Sequence, residues 1–424
     1  MTKLVDFLIR AQDIDVHTIS PYRLADHWQM PRKQVLNVFF EATKVGMLNF
    51  NWDLYCPSCR SLQERCKTLH EIHETIFCEV MPGTCSSQYF SSNIHLSFSP
   101  NSLVRKLSDK AHCFSGPQNW HHIPLRQYLE PGQKSFLKLS LPHGTYHMRF
   151  PGTEGEIQVT VIDRGEKEIG ISICNRGFNR EPVQISSKAK LLLHNKSNRK
   201  QLVILENCSW GSQLLTAANV TSRQQFRDLF EGEIFPKAEK IAVANQTLMF
   251  TDLIGSTGMY NKEGDQKAVE RVIDHFDVLQ QAVSEENGAI VKTIGDSVMA
   301  VFANPTDAYM AYKRAQQVIS SDKQYNNSLK LKAGIHHGSC VAVNLNNRID
   351  YLGSTVNIAS RLADFADGDE VVLSRSACKA IDNDVLQLND HPSKEIKIRL
   401  RGFDDEEFRV KQVALKEPTL KLVV

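Results

Sequence analysis

Residues 248–257 read LMFTDLIGST, an apolar run that ends in a carboxylate and passes into a turn of small residues. Leu248, Met249 and Phe250 have the texture of a buried strand, and LIGSTG leads that strand into a helix. From here strand and helix alternate. DQKAVERVIDHFDVLQQAV, residues 265–283, sets Val269, Val272, Phe276, Leu279 and Val283 at helical spacing, and Gly288 closes the helix. AIVKTIGDSVMAVF, residues 289–302, predicts a hairpin folded about Ile294 and Gly295. A second helix is predicted from Pro305 to Ser321, with LKLKAGIH and DEVVLS as further strands. The order β-α-β-β-α-β is the ferredoxin-like split arrangement, predicted for residues 243–415.

The carboxylates fall where this fold can use them. Backbone amides freed at Ile254, Gly255, Ser256 and Thr257 can cradle phosphate oxygens. Asp252, beside that cradle, suits a hard divalent cation that also touches phosphate. Asp296 lies in the hairpin, and reaches the same sheet edge if the hairpin pairs beside the Asp252 strand. Two such carboxylates can hold two Mg²⁺ or Mn²⁺ ions, one acidifying an attacking hydroxyl and one neutralising the leaving phosphates. Taken singly, each aspartate reads more simply as a cap or turn residue. A third element adds weight. In DYLGSTVNIASRLADFA, Asn357 and Arg361 lie i,i+4 on one helical face, opposite Val356, Ala359 and Ala363. An amide and a guanidinium aligned this way can hold a ribose and a pentavalent phosphorus.

FTDLIGST, KTIGDSVMAVF and DYLGSTVNIASR, in this order, resemble the three signature blocks of class III adenylyl and guanylyl cyclases. The resemblance implies that Asp252 and Asp296 are the metal ligands and that the amides of Ile254 to Thr257 bind triphosphate. It implies that Asn357 orients the ribose and Arg361 stabilises the transition state. The reaction implied is in-line attack of the ribose 3′-hydroxyl on the α-phosphorus, with pyrophosphate leaving. RLRGFDDEEFRV matches the region where the family places a phosphate-binding lysine, and Arg401 is the substitute, with Arg399 close by. Lys292 and Asp350 stand at the base-reading positions. Adenine offers an acceptor at N1 and a donor at N6, so one donor and one acceptor from the protein match ATP. Guanine presents the reverse pattern and favours an acidic residue at position 292. In this family the metal aspartates face the Lys, Asp, Asn and Arg set across two domains. A single block carrying every position implies a homodimer.

The rest of the chain bounds this reading. At 424 residues, two to four domains fit, and a net charge of +2 gives no reason to expect a global polyanion partner. No apolar run approaches the roughly 18 residues of a membrane span. No signal peptide opens the chain, so the cytoplasm is the expected compartment, and the ten cysteines read as free thiols or metal ligands. Residues 1–55 predict helix, tight turn, helix and strand, the outline of a winged helix-turn-helix, with Val35, Leu36, Phe39, Phe40 and Ala42 on one side of the second helix. That helix carries only Arg32 and Lys33 as basic residues before turning acidic and apolar, thin support for nucleic acid as a partner.

Residues 56–90 hold CPSC at Cys56 and Cys59, then Cys78 and Met81, which resembles a zinc ribbon with its second pair broken. Cys66, His73 and Cys85 are candidates for the missing Zn²⁺ ligand. Residues 91–210 alternate as many short strands, among them GEIQVTVID and GISICNR, and predict an antiparallel β domain, a candidate sensor. Residues 211–242 predict one connector helix. The layout, with HCFSGP at residues 112–117, is similar to a group of soluble bacterial cyclases. The expectation is thus a multi-domain α+β protein with a C-terminal ferredoxin-like βαββαβ cyclase domain, acting as a regulated adenylate cyclase in signal transduction. The alternatives are a cyclase of GTP or a pyrimidine nucleotide, or a DNA- or nucleotide-binding regulator with a vestigial cyclase block.

Overall fold

A computed structural model of the chain describes residues 1–56, 59–72, 75, 76, 78, 87, 88, 93–107, 122–151, 156–175, 177, 178, 181–208, 211, 213–233, 241–321, 330–382, 385, 391–403 and 406–415. His73, Met81, Cys85 and residues 112–117 lie outside them. The described residues fall into two units, one within Met1–Lys67, Thr75–Ser87 and His95–Leu215, the other within Thr68–Glu74, Gln88–Ile94 and Thr216–Val424. Among the described residues no helix is long and apolar enough to cross a membrane.

The first unit opens with helices Thr2–Arg10 and Asp13–Val16, which the sequence reading did not place, and helices Pro21–His27 and Arg32–Lys44 and strand Leu48–Tyr55 follow in the predicted order. Ser20 caps the first of these, its hydroxyl accepting from the Arg23 amide. The second buries Val35, Leu36, Phe39, Phe40 and Ala42, the face its spacing predicts. Strand Leu48–Tyr55 lies between Leu62–Cys66 and Ile94–Pro100 in a three-stranded sheet. The β-rich part is a seven-stranded sheet with a core of alternating residues, among them Ile157, Val159, Val161, Ile169, Ile171 and Ile173.

Two expectations for this sheet need correction. GEIQVTVID and GISICNR belong to one strand, Glu156–Cys174. The sheet is mixed instead of antiparallel, because Val183–Asn195 runs parallel to that strand, Val183 facing Val159 and Leu191 facing Ile169. Period-two alternation tells which side chains are buried, and is silent about the direction of the neighbouring strand.

The second unit begins with α1 (Ala217–Thr221) and α2 (Gln224–Leu229), two short helices where one connector helix was expected. The Thr221 hydroxyl bonds back to the Ala217 carbonyl at 2.8 Å, and Arg223 is extended. Such local side-chain bonds compete with helix continuation. The catalytic block follows as β1 (Ile241–Ile254), α3 (Ser256–Glu263), α4 (Asp265–Glu285), β2 (Ala289–Ile294), β3 (Ser297–Phe302), α5 (Pro305–Ser321), β4 (Lys330–Leu345), β5 (Arg348–Leu352), α6 (Ser354–Ala363), β6 (Glu370–Ser374), α7 (Arg375–Ala380), β7 (Ser393–Arg399) and β8 (Glu407–Ala414). The sheet order is β2-β3-β1-β4-β6-β8-β7, with β5 on β4, so the β-α-β-β-α-β order is present and extended by four strands. Leu248, Met249 and Phe250 of β1 and Val298 to Phe302 of β3 are buried on both faces, as a central position demands.

Helices α4 and α5 cover one face with Val272, Leu279, Val283, Tyr309, Tyr312 and Ile319. The α4 stripe is rotated from the expected one. Val269 is exposed, and His275 is fully buried in its place. The other face carries α6, through Ile358 and Leu362 against Val372, Ile398 and Val410. Gly334 on β4 makes that approach possible, since a Cβ there would lie 2.3 Å from the Ala363 amide and 2.5 Å from the Ala359 carbonyl.

Candidate active site

Strand register brings the two aspartates together. Thr251 on β1 faces Val298 on β3, so Asp252 comes opposite Ser297, the residue after Asp296. The Ser297 hydroxyl donates to Asp252 Oδ1 at 2.7 Å. Asp296 is half-buried in the β2–β3 turn, where Gly295 takes φ +65°. On the other side of β1, Asp252 faces Lys332 of β4, whose Nζ is 3.1 Å from Asp252 Oδ2. Two hard oxygen donors and a nearby ammonium thus gather at one sheet edge.

Gly255, at φ +85°, turns the chain from β1 into α3, a left-handed conformation that strains any residue with a Cβ. The N-cap of α3 is Gly255, which has no side chain to occupy the first amides of Ser256–Glu263, three residues on from Asp252. Ile254 ends β1, Ser256 opens α3, and Thr257 falls in its first turn.

Lys292 and Asp350 come together from β2 and β5. Lys292 Nζ lies 2.6 Å from Asp350 Oδ2, and the Tyr351 amide donates to Oδ1 at 2.8 Å. Asp350 is buried, while Lys292 keeps part of its side chain open. The spacing on α6 holds as expected. Thr355, Ile358, Ala359, Leu362 and Ala363 face inward, whereas Asn357 and Arg361 are exposed. Among the described residues, Arg361 makes a long contact with Asp364, 3.8 Å between Nη1 and Oδ2. Arg401 is exposed in the turn between β7 and β8, with β6 and β4 standing between those strands and β1. Within one chain, therefore, the structure does not bring Arg401 to the Asp252 edge.

Three contributors escaped the sequence reading. Lys332 is one, because strand alternation marks it as off the core without naming its partner. Gln224 and Arg227 of α2 are the others. The Gln224 side-chain oxygen accepts from the Ile290 amide at 2.8 Å, two residues before Lys292. The Arg227 guanidinium donates to the carbonyls of Thr221 at 2.7 Å and Ile349 at 3.0 Å, the latter adjoining Asp350. One short helix thus grips the backbone behind both Lys292 and Asp350. Nothing in the local sequence announces this.

Residues 239–412 match the family described as the adenylate and guanylate cyclase catalytic domain, and residues 1–123 match a family of unknown function, DUF5939. The chain is 30% identical over 132 residues to adenylate cyclase 1 of Rhizobium meliloti, across 27% of this chain and 20% of that protein. It is 29% identical over 154 residues to a pH-sensitive adenylate cyclase of Mycobacterium tuberculosis, across 35% of this chain and 34% of that protein. The matched stretch is 7% of the length of the Mycosarcoma maydis adenylate cyclase and 8% of that from Lachancea kluyveri. Among solved structures, the adenylyl cyclase CyaB from P. aeruginosa is 21% identical, covering 42% of this chain and 97% of that one at a TM-score of 0.36. Residues 239–412 thus match the catalytic domain of adenylate and guanylate cyclases.

Proposed function

We propose that this chain is an adenylate cyclase, converting ATP to cyclic AMP and pyrophosphate at a site assembled between two copies. The observation that carries the substrate is the Lys292–Asp350 pair at 2.6 Å, which sets one donor and one acceptor side by side as adenine requires. A base with the reverse pattern would leave buried polar groups unpaired, a strong basis for discrimination.

The donor set fits a hard divalent cation, Mg²⁺ or Mn²⁺, held by Asp252 and Asp296 at adjacent strand ends. Such an ion, when bound, acidifies the ribose 3′-hydroxyl and neutralises the leaving pyrophosphate. The amides at the start of α3 bind the triphosphate. Asn357 orients the ribose, and Arg361 compensates the charge that grows at the α-phosphorus as the P–O bond to pyrophosphate breaks. Arg401 meets phosphate from the partner copy, in keeping with its distance from the Asp252 edge of its own chain. The enzyme works in the cytoplasm, and its N-terminal half serves as the regulatory input, read from its position ahead of the catalytic block.

The test is product formation from ATP, GTP, CTP and UTP with Mg²⁺ and then Mn²⁺, beside Asp296→Ala. Cyclic AMP from ATP alone, abolished in the variant, is expected. A cyclic product from another nucleotide keeps the mechanism and overturns the base assignment.

A further inference from the structure

Cys56, Cys59 and Cys78 are all buried, and their sulfurs lie within 4.8 Å of one another. Cys59 Sγ is 3.4 Å from Cys78 Sγ, and the Cys59 amide points at Cys56 Sγ at 3.5 Å. The turn that makes this possible is closed by two backbone bonds, Cys56 N to Ser61 O and Arg60 N to Cys56 O, both 2.9 Å. Arg60 takes φ +58° within it, a conformation a non-glycine residue adopts only where the surroundings hold it. The strained turn directs both thiols of the CPSC segment toward Cys78, 19 residues further on.

Three buried thiols in one place have few other uses. Thiols are weak hydrogen-bond formers, and an apolar core gains more from aliphatic residues of that size. A tetrahedral site with Zn–S bonds of about 2.3 Å needs sulfurs about 3.8 Å apart. The 3.4 Å between the Cys59 and Cys78 sulfurs, with all three within 4.8 Å of one another, is close to that spacing.

We propose that Cys56, Cys59 and Cys78 form a structural binding site for a soft divalent cation, zinc by its preference for thiolates. The surroundings define its role. Ile123, Leu202 and Ile204 pack directly on the three cysteines, so the ion is enclosed by the β-rich sheet and not open to substrate. Leu202 and Ile204 belong to strand Gln201–Asn207, which lies far along the chain from the CPSC turn. The ion therefore staples the turn, the Cys78 segment and the sheet into one unit, and its binding free energy adds to the folding of that unit. This inference does not rest on the cyclase reading.

The test uses the full chain purified under reducing conditions from zinc-supplemented cells. Elemental analysis is expected to give about one zinc per chain. Stripping the ion and adding Co²⁺ alone is expected to give thiolate-to-cobalt charge-transfer absorption and tetrahedral d–d bands. Cys59→Ser and Cys78→Ser lose both signals, while Cys208→Ser, outside the cluster, keeps them. The wild-type measurements stand even if a variant misfolds. Protein that retains no zinc and gives no cobalt–thiolate spectrum overturns the proposal. So does a Cys59–Cys78 disulfide found by peptide mapping of metal-free protein under the same reducing conditions.

Discussion

Lys292 and Asp350, 58 residues apart in the chain, meet at 2.6 Å with the Asp350 carboxylate also held by the Tyr351 amide. The pair is polar on both members and directional. Reversing it, as Lys292→Asp with Asp350→Lys, keeps an ion pair while exchanging the positions of donor and acceptor. The double variant is expected to fold, to lose kcat/KM for ATP by roughly 100-fold or more, and to gain relative preference for GTP. Competition assays with the two nucleotides read the ratio. Unchanged ATP preference would mean the base is read elsewhere.

Asp252 and Asp296 are the two carboxylates of the proposed metal site. Asp252→Asn and Asp296→Asn are each expected to reduce turnover by roughly 100-fold or more with Mg²⁺. Thermal unfolding of the metal-free protein separates the two. Asp252→Asn leaves Lys332, now 3.1 Å from the carboxylate, without its partner, and is expected to lower Tm. Asp296→Asn is expected to leave Tm nearly unchanged.

Arg227 acts at one remove. Its guanidinium ties the Ile349 carbonyl to α2, directly beside Asp350. Arg227→Ala strands two carbonyls, which costs about 1–3 kcal/mol of stability. The loosened strand is expected to raise KM for ATP more than it lowers kcat, and the ATP-to-GTP ratio is expected to fall. A stability loss with KM and selectivity unchanged would make Arg227 merely structural.

His275 gives the folded state a pH dependence. It is fully buried, and neither ring nitrogen has a hydrogen-bond partner among the described residues. Burial pushes its pKa down to about 4, partly offset by Asp252. The unfolded chain binds a proton near the ordinary value of about 6.5, so between these values the unfolded state holds more protons and stability falls as pH falls. Full stability is present above the unfolded pKa, and about 3 kcal/mol is lost by pH 4. Urea unfolding of wild type and His275→Leu across this window is expected to show the slope flattened in the variant.

Gly334 sets how closely α6 lies on the sheet. Gly334→Ala drives a methyl into the Ala359 and Ala363 backbone. A loss of about 1–3 kcal/mol is expected, together with a fall in kcat, because the helix that shifts carries Asn357 and Arg361. Normal kcat in a folded Gly334→Ala protein would show that the helix position tolerates change.

Much of the site was legible because its chemistry is local. The Asp252 strand end, the glycine turn at Gly255 and the α6 face of Asn357 and Arg361 are each written within one helical or strand period. The Arg32–Lys44 core face was equally plain. The α4 stripe was read slightly out of phase, since Val269 and His275 satisfy a helical period about equally well and only packing chooses between them. The connector was misread for a related reason, Thr221 spending its hydroxyl on a local carbonyl bond.

The sequence by itself determined which residues are chemically equipped for a site and which stretches alternate or turn, since those depend on side-chain type and spacing over a few residues. The tertiary structure alone decided who meets whom: Lys332 with Asp252, Lys292 with Asp350, Arg227 with Ile349, and the parallel pairing of Val183–Asn195 with Glu156–Cys174. Pairing and register minimise the free energy of distant segments together. No single segment carries enough information to fix its own partner.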